Sequence, residues 1–263
     1  MANSVGRIED ALDALAIPRD GILQVHSAFS RLAHSGHDAR AFLASIVEYM
    51  KRGTLLMPTM SWRSVTPQNP VFDELATPGI TGVLSELFRV EFAEARSLHP
   101  THSVAGRGAA AAALLVDHYI DTTPCSDNSP FGRLPAAGGY VLMVGVGLEC
   151  CTLIHHVEET LAPEFYLQPY ERREAYLCRD RHGHEIHMTT RRHLRLDRDF
   201  PQFEPLLRAR GKVRYFDLDG TLLMAFAAID LVDVVAARLN DFPCGTLRAS
   251  AHENQSDCNQ NVR

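Results

Sequence analysis

The stretch that most constrains this chain is residues 140–159, YVLMVGVGLECCTLIHHVEE. Its first half is an apolar, β-branched run of strand length, interrupted by Gly145 and Gly147, and its second half takes up helical spacing. A strand, a glycine turn and a helix in immediate succession point to an α/β fold. In an open α/β sheet the end of a strand, where the next helix begins, is the usual place for chemistry. On that helix Thr152, His155 and Glu158 each lie three residues apart, so a hydroxyl, an imidazole and a carboxylate share one face. An imidazole with such neighbours suits general-base work near neutral pH. The same spacing also fits a His155 or His156 that is simply packed or at the surface, because no established motif is built on it.

The rest of the composition is that of an ordinary globular protein. With 263 residues, 46% hydrophobic and 22% charged, the chain is long enough for one large core. A net charge of -6 and the lack of a basic stripe interleaved with aromatics argue against nucleic acid as a partner. There is no apolar run of membrane-spanning length, and the opening segment MANSVGRIEDALDALAIP reads as a capped amphipathic helix, not a signal peptide. A cytoplasmic protein with no membrane association is expected. The six cysteines, Cys125, Cys150, Cys151, Cys178, Cys244 and Cys258, lack metal-ribbon spacing and are expected to be reduced thiols.

Taken in order, helical periodicity over 8–15 leads to a short buried strand over 21–26, which runs into His26, Ser27, Ala28, Phe29 and Ser30. Small hydroxyl residues after a strand can offer donors to a phosphate or an amide, or can serve as a plain N-cap and turn. The grammar repeats with a helix over 39–51, a strand over 54–57, then Pro58, Thr59, Met60, Ser61 and Trp62. Residues 62–80 form a Pro- and Thr-rich loop of the kind that lines binding sites. A helix over 82–92 precedes a dense polar cluster with His99, Thr101, His102 and Ser103, whose spacing around Pro100 is poor for zinc. A helix over 109–119 and a polar loop over 121–134 lead into the central strand. Strands are expected over 166–170 and 174–187, the latter folded at 181–184 into a hairpin whose polar face carries His182, His184 and His187. No metal site is expected.

Residues 212–223, KVRYFDLDGTLL, resemble the nucleophile motif of haloacid-dehalogenase-type phosphatases, in which Asp217 would be the nucleophile, Asp219 the acid/base and magnesium their common ligand. That motif opens its fold, whereas only about forty residues follow it here, too few for the remaining strands. A turn over 217–221 capping an amphipathic helix over 222–239 is the preferred reading. One domain over 1–245 and a flexible tail over 246–263 complete the expected organisation.

The succession VHSAFSRL (25–32), GTLLMPTMSW (53–62), FDELATPGITGVLSELFR (72–89), RSLHPTHSVAG (96–106), SPFGRL (129–134) and GYVLMVGVGLECCTLIHHVEE (139–159) resembles the aminoglycoside 3-N-acetyltransferase family, which is distinct from the GNAT acetyltransferases. Six collinear blocks are far more specific than any one of them. The resemblance implies a three-layer α/β/α fold around a mixed sheet, with an additional small sheet region. It also implies transfer of an acetyl group from acetyl-coenzyme A to an amine, in the first instance the 3-amino group of a 2-deoxystreptamine aminoglycoside, and hence antibiotic resistance. A biosynthetic acetyltransferase acting on another amino sugar or small amine is the alternative. Monomer and homodimer both fit.

By the same resemblance His155 is the catalytic base and Thr152 and Glu158 support it, with direct transfer to the amine and no acyl-enzyme. Glu149 is a second carboxylate candidate for the imidazole. His26, Ser27, Ala28, Phe29, Ser30, Pro58, Thr59, Ser61, His102, Ser103 and Val104 carry over as the coenzyme A surface. Asp73, Glu74, Asp127, Glu149, Glu158 and Glu164 are the carboxylates available to a polycationic acceptor. Two stretches depart from the family pattern: Ala33-His34-Ser35-Gly36-His37 replaces an aromatic, glycine-rich continuation, and His156-Val157 stands where an aromatic or aliphatic residue and Ala are common. Both bear on the acceptor.

Overall fold

The computed structural model describes residues 4–248. Seven strands form the main sheet in the order β4-β5-β2-β1-β6-β10-β9, where β1 is Ile22–Ser27, β2 Thr54–Pro58, β4 Ala95–Arg96, β5 Val104–Gly108, β6 Tyr140–Val144, β9 Val213–Leu218 and β10 Thr221–Ala227. The centre, β2-β1-β6, is parallel, and β5, β4, β10 and β9 extend it on both sides through antiparallel pairings. A second sheet has the order β3-β7-β8, with β3 Val71–Asp73, β7 Glu174–Arg179 and β8 Glu185–Thr190. The expected three-layer mixed-sheet architecture with a small extra sheet is therefore present.

Strand alternation decides what each layer buries. On β6, Leu142 and Val144 join Leu23 and Val25 of β1 under the helices Ala39–Tyr49 and Val83–Glu91. Val141 and Met143 face the opposite way, toward the helices Pro130–Ala136, Leu153–Leu161 and Ala228–Asp241. On β1 that second face carries Gln24 and His26, both buried. Two polar side chains in the innermost strand are costly unless something uses them. The small sheet has its own core of Phe72, Tyr176, Cys178 and Met188, closed by Val65 from the 62–80 loop.

Several expectations are corrected. Residues 222–239 are not one helix: β9 and β10 form a hairpin, and the helix begins only at Ala228. Asp219 and Gly220 have φ of 51° and 80°, the paired left-handed conformation of a two-residue hairpin turn. The run Leu223 to Phe226 is buried on both sides, which removes the alternation that would have marked it as a strand. Asp217 accepts from Gly220 N at 2.9 Å, and Asp219 pairs with His37 at 2.8 Å and with Arg7. Both aspartates of the phosphatase-like motif are thus committed to a surface turn.

The 109–119 helix shrinks to Ala111–Leu115, and Asp117 turns to φ 66° just beyond it. The 166–170 strand is absent; Leu167 makes only an isolated bridge to His193. Thr246 is buried and Leu247 bridges to Arg198, so packed chain continues past the boundary expected at 245. Residues 249–263 of the expected tail lie outside the described residues. Cys125, Cys150, Cys151 and Cys178 are free thiols, but Cys244 is disulfide-bonded, against the expectation of six reduced thiols. Scattered spacing alone does not encode such pairing. Among the described residues no helix is long and apolar enough to cross a membrane.

Gly145 shows how tightly the site end of the sheet is built. It ends β6 at φ 66°, and a Cβ there would lie 2.9 Å from the Ala28 carbonyl and 3.2 Å from the Thr221 methyl. We therefore expect Gly145→Ala to cost about 2 kcal/mol, seen as a lower urea midpoint at unchanged slope. An unchanged midpoint would contradict this account of the turn.

Candidate active site

The site lies beyond the ends of the three parallel strands. Residues 28–30 follow β1, residues 59–62 follow β2, and Gly145 leads through a short turn into the helix Leu153–Leu161. That helix buries Leu153, Ile154 and Val157 in the core, and with them two consecutive carboxylates, Glu158 and Glu159. A buried charge has to be paired or neutralised. The two glutamates take opposite routes.

Glu158 is paired. Its Oε2 lies 2.7 Å from His155 Nδ1, one helical turn back. Arg198 Nε donates to both carboxylate oxygens at 3.1 Å, and the Thr246 hydroxyl donates to Oε1. Burial alone would raise the carboxyl; the facing imidazole, its hydrogen bond, the Arg198 charge and the Thr246 hydroxyl outweigh it and bring the pKa down to about 2. Glu158 is an ionised acceptor at neutral pH. In the neutral imidazole, Nδ1 must then carry the proton and Nε2 the lone pair.

Glu159 is pushed toward its neutral form. Burial pushes it up to about 7 even though Thr123 and the Cys125 N–H bond to it. Its Oε1 meets His193 Nε2 at 2.6 Å, and burial, followed by the neighbouring His155, holds His193 well below the usual histidine range. The His193 ring stacks on His155 with centroids 4.3 Å apart, and His102 meets His193 edge-on at 5.2 Å. Behind them His99 stacks on His118 at 4.6 Å, and His118 is fixed by Ser97 and the Pro124 carbonyl. Burial lowers His102, His99 and His118 as well, so His155 leans against a wall of neutral imidazoles.

His155 is shared by two cavities. One, of about 610 Å³, is bounded by residues 25–30, Pro58, residues 80–83 and residues 149–152. Its polar lining includes His26, whose pKa burial depresses to about 4, and the Ser27 hydroxyl, which is buried without a partner. The other, of about 590 Å³, lies under the segment 192–195 and the Arg198 side chain, with Gln168 and Glu174 on its wall. Met60, Trp62, Thr152 and His155 line both.

Set against the expected residues, the structure brings together His155, Glu158, Thr152, His26, Ser27, Ala28, Phe29, Ser30, Pro58, His102 and Glu149 around these cavities. Glu149 accepts from Gly147 N at 2.8 Å and does not bond His155; the carboxylate bonded to the imidazole is Glu158. Thr152 makes no side-chain bond to the imidazole; it lines both cavities at the start of the helix.

Thr59, Ser61, Ser103 and Val104 line neither cavity. They are buried, and Thr59 and Ser103 hold the Arg96 guanidinium while Ser61 donates to the Pro100 carbonyl. Asp73 caps the turn at 75–76, Glu74 is paired with Arg181 on the small sheet, and Asp127 and Glu164 are exposed outside both cavities. The expected cation-binding carboxylates are therefore not gathered in one place.

Sequence reasoning missed His193, Arg192, Arg195, Arg198, Gln168 and Thr246. They come from an irregular segment after β8 and from the chain end, where no periodicity marks them. The charge run RRHLRLDR over 191–198 was the available signal. Among the described residues Cys125, Glu159 and His193 form a group whose ligand atoms lie within 4.8 Å of one another, close enough to share a metal ion. Burial, followed by the neighbouring Glu159, pushes the Cys125 thiol well above its ordinary value, which disfavours the thiolate a metal would need.

The family model described as aminoglycoside 3-N-acetyltransferase matches residues 24–240. Aminoglycoside N(3)-acetyltransferase VII of Streptomyces paromomycinus is 30% identical over 171 residues, 58% of this chain and 59% of the relative. The prophage-derived YokD protein of Bacillus subtilis, named as aminoglycoside N(3')-acetyltransferase-like, is 25% identical over 186 residues, 63% of this chain and 65% of the relative. The chain thus matches about three fifths of the length of these relatives. In fold, a mutant of aminoglycoside acetyltransferase AAC(3)-IVa in complex with gentamicin superposes with a TM-score of 0.78 at 22% identity, covering 98% of this chain and 96% of that one. AAC-IIIb in a binary complex with CoASH gives 0.76 at 22% identity, over 94% and 99%.

The opposite fates of the two glutamates can be separated by pH. A carboxyl raised from 4.5 to about 7 in the folded state costs stability as pH rises through that window, whereas the depressed histidines cost stability only as pH falls below about 6.5. Glu159→Gln removes the first effect alone. Its stability relative to the parent should rise by roughly 3 kcal/mol between pH 4.5 and 7.5 in urea titrations. A difference that does not change with pH would contradict the assignment.

Proposed function

The chain belongs to the aminoglycoside 3-N-acetyltransferase family, and from that premise we propose that it transfers the acetyl group of acetyl-coenzyme A directly to an amine, with His155 as general base. The observation that carries this reading is the position of His155. It sits where two cavities meet, its Nδ1 held by an ionised carboxylate and its ring face stacked on another imidazole.

The larger cavity suits the acyl donor. It is a mostly apolar space lined by residues from the ends of β1 and β2 and from the turn that leads into the helix Leu153–Leu161, with the unpartnered Ser27 hydroxyl on its wall. These features match what a pantetheine arm needs, and residues 26–30 and Pro58 are those the resemblance assigns to coenzyme A. When bound, the donor supplies a thioester carbonyl at the mouth shared with the second cavity.

The chain's own residues then divide the work. An amine at neutral pH is mostly ammonium and must lose a proton before it can attack; Nε2 of His155 takes that proton. Glu158 stabilises the imidazolium so formed and keeps Nε2 turned to the cavities, and the Arg198 and Thr246 bonds keep Glu158 from swinging away. The neutral His193 below the ring adds no competing charge. The Ser27 and Thr152 hydroxyls are the side-chain donors available to negative charge developing on the carbonyl oxygen, worth on the order of 3 kcal/mol if one is well aimed. Cys150 and Cys151 both have thiols raised by burial, Cys151 to about 12, which does not favour a thiolate nucleophile and supports direct transfer.

For the acceptor, the family name points to an aminoglycoside. A second reading, another amine, is favoured by one observation: of the carboxylates expected for a polycation, Asp73, Glu74 and Asp127 stand away from both cavities, and Glu149 lines only the donor side.

His155→Ala should lower kcat by about 10²- to 10⁴-fold while coenzyme A still binds, as measured by thiol release and by calorimetry. Residual turnover within a few-fold of the parent would remove His155 from the role of base.

A further inference from the structure

The second cavity is rich in donors and poor in acceptors. Three guanidiniums, Arg192, Arg195 and Arg198, line it against one carboxylate, Glu174. That carboxylate is spent, since its Oε2 pairs with Arg192 Nε at 2.7 Å and accepts the Tyr176 hydroxyl. Arg198 is balanced by Glu158 from behind the wall. Gln168 uses its carbonyl oxygen on the Arg192 N–H, which leaves the amide donors over. Arg195 has no ion-pair or hydrogen-bond partner among the described residues. The unbalanced charge of the cavity is therefore positive, and it belongs to Arg195.

A polycation would enter this space against that charge and find no free carboxylate, a mismatch that costs affinity and slows encounter. A ligand group with several acceptor oxygens meets the opposite situation, because a guanidinium fork and amide donors match an oxyanion. We propose that the acceptor is an amine that also bears an oxyanion, a phosphate or a carboxylate, and that Arg195 binds this group while the amine is presented to His155. The proposal rests on the acetyltransferase reading above and narrows its acceptor.

The segment that carries Arg195 supports this placement. Residues 191–195 are pinned from behind: Arg191 donates to the Gln168 carbonyl, Arg192 donates to the Val65 carbonyl and the Tyr176 hydroxyl, and His193 Nε2 is hydrogen-bonded to Glu159 Oε1. Arg195 follows a braced backbone and is itself uncommitted. A side chain held this way can close on a ligand without moving the chain.

The test uses matched pairs of amines with and without an oxyanion: glucosamine 6-phosphate against glucosamine, and 4-aminobutyrate against butylamine, with kanamycin as the polycation. Thiol release from acetyl-coenzyme A gives kcat/KM for each, and calorimetry in the presence of coenzyme A gives binding of each without turnover. In at least one pair the oxyanion-bearing member should exceed its partner, and kanamycin, by about tenfold or more, in turnover and in binding. Arg195→Glu, an exposed position where folding is not at stake, should cut that preference at least tenfold through the acceptor KM.

Preference for kanamycin or for the partner without the oxyanion in every pair would overturn the proposal. So would an Arg195→Glu effect confined to the KM of acetyl-coenzyme A, which would assign the arginine to the donor's phosphates. Oxyanion-dependent binding lost in Arg195→Glu, with no acetyl transfer to any amine, would support the binding claim and sink the acetyltransferase reading; turnover without any oxyanion preference would do the reverse.

Discussion

The organisation of the site depends on one buried carboxylate. Glu158 has no solvent exposure, and it binds at once a residue of its own helix, His155, a residue of the irregular segment after β8, Arg198, and a residue near the end of the described chain, Thr246. An ionised carboxylate stays in a protein interior only if several donors converge on it, and removing one donor typically costs a few kcal/mol. These three distant pieces of chain are therefore tied to one another by the need to satisfy a single charge. The same need sets the orientation of the imidazole, so structural and chemical requirements coincide.

The sheet explains why the charge can be placed there. Parallel strands β2, β1 and β6 end side by side, and each is followed by a turn that leaves small residues and backbone at the same edge. The alternation that buries Leu23, Val25, Leu142 and Val144 on one face sends Gln24 and His26 to the other, beneath the donor-side cavity. Opposite that edge the small sheet and the 191–198 segment close the second cavity. Its basic, donor-rich wall contrasts with the more apolar donor side, which carries no arginine, and a division of labour between acyl donor and acceptor follows from that contrast.

Much of the fold was legible in the sequence because the elements concerned obey simple periodicities. The central strand and helix at 140–159 and the two strand-to-hydroxyl units are found where the residue pattern puts them, and the hairpin expected over 174–187 is present with its second arm running on to Thr190. The hairpin at 213–227 was missed because strand β10 is buried on both faces and its Leu and Met content imitates a helix; the Asp219-Gly220 pair was the better guide. In the site, Thr152, His155 and Glu158 were recognised through one helical face. His193, Arg195, Arg198 and Thr246 were not, since they reach the site through irregular chain whose course is set only by tertiary contacts. The hydroxyls at Thr59 and Ser103 misled in the other direction. Their density reflects the demands of a buried guanidinium, Arg96, whose pKa burial depresses to about 9, and not a ligand surface.

The central claim is that ionised Glu158 fixes the tautomer of His155 so that Nε2 is the free basic nitrogen. Long-range proton–nitrogen NMR on protein labelled with ¹⁵N-histidine reports this directly for the neutral ring. The account predicts a protonated Nδ1 and an unprotonated Nε2 for His155, with that preference lost in Glu158→Gln. A neutral His155 carrying its proton on Nε2 in the parent protein would contradict the account, because the nitrogen offered to the amine would then be a donor and not a base.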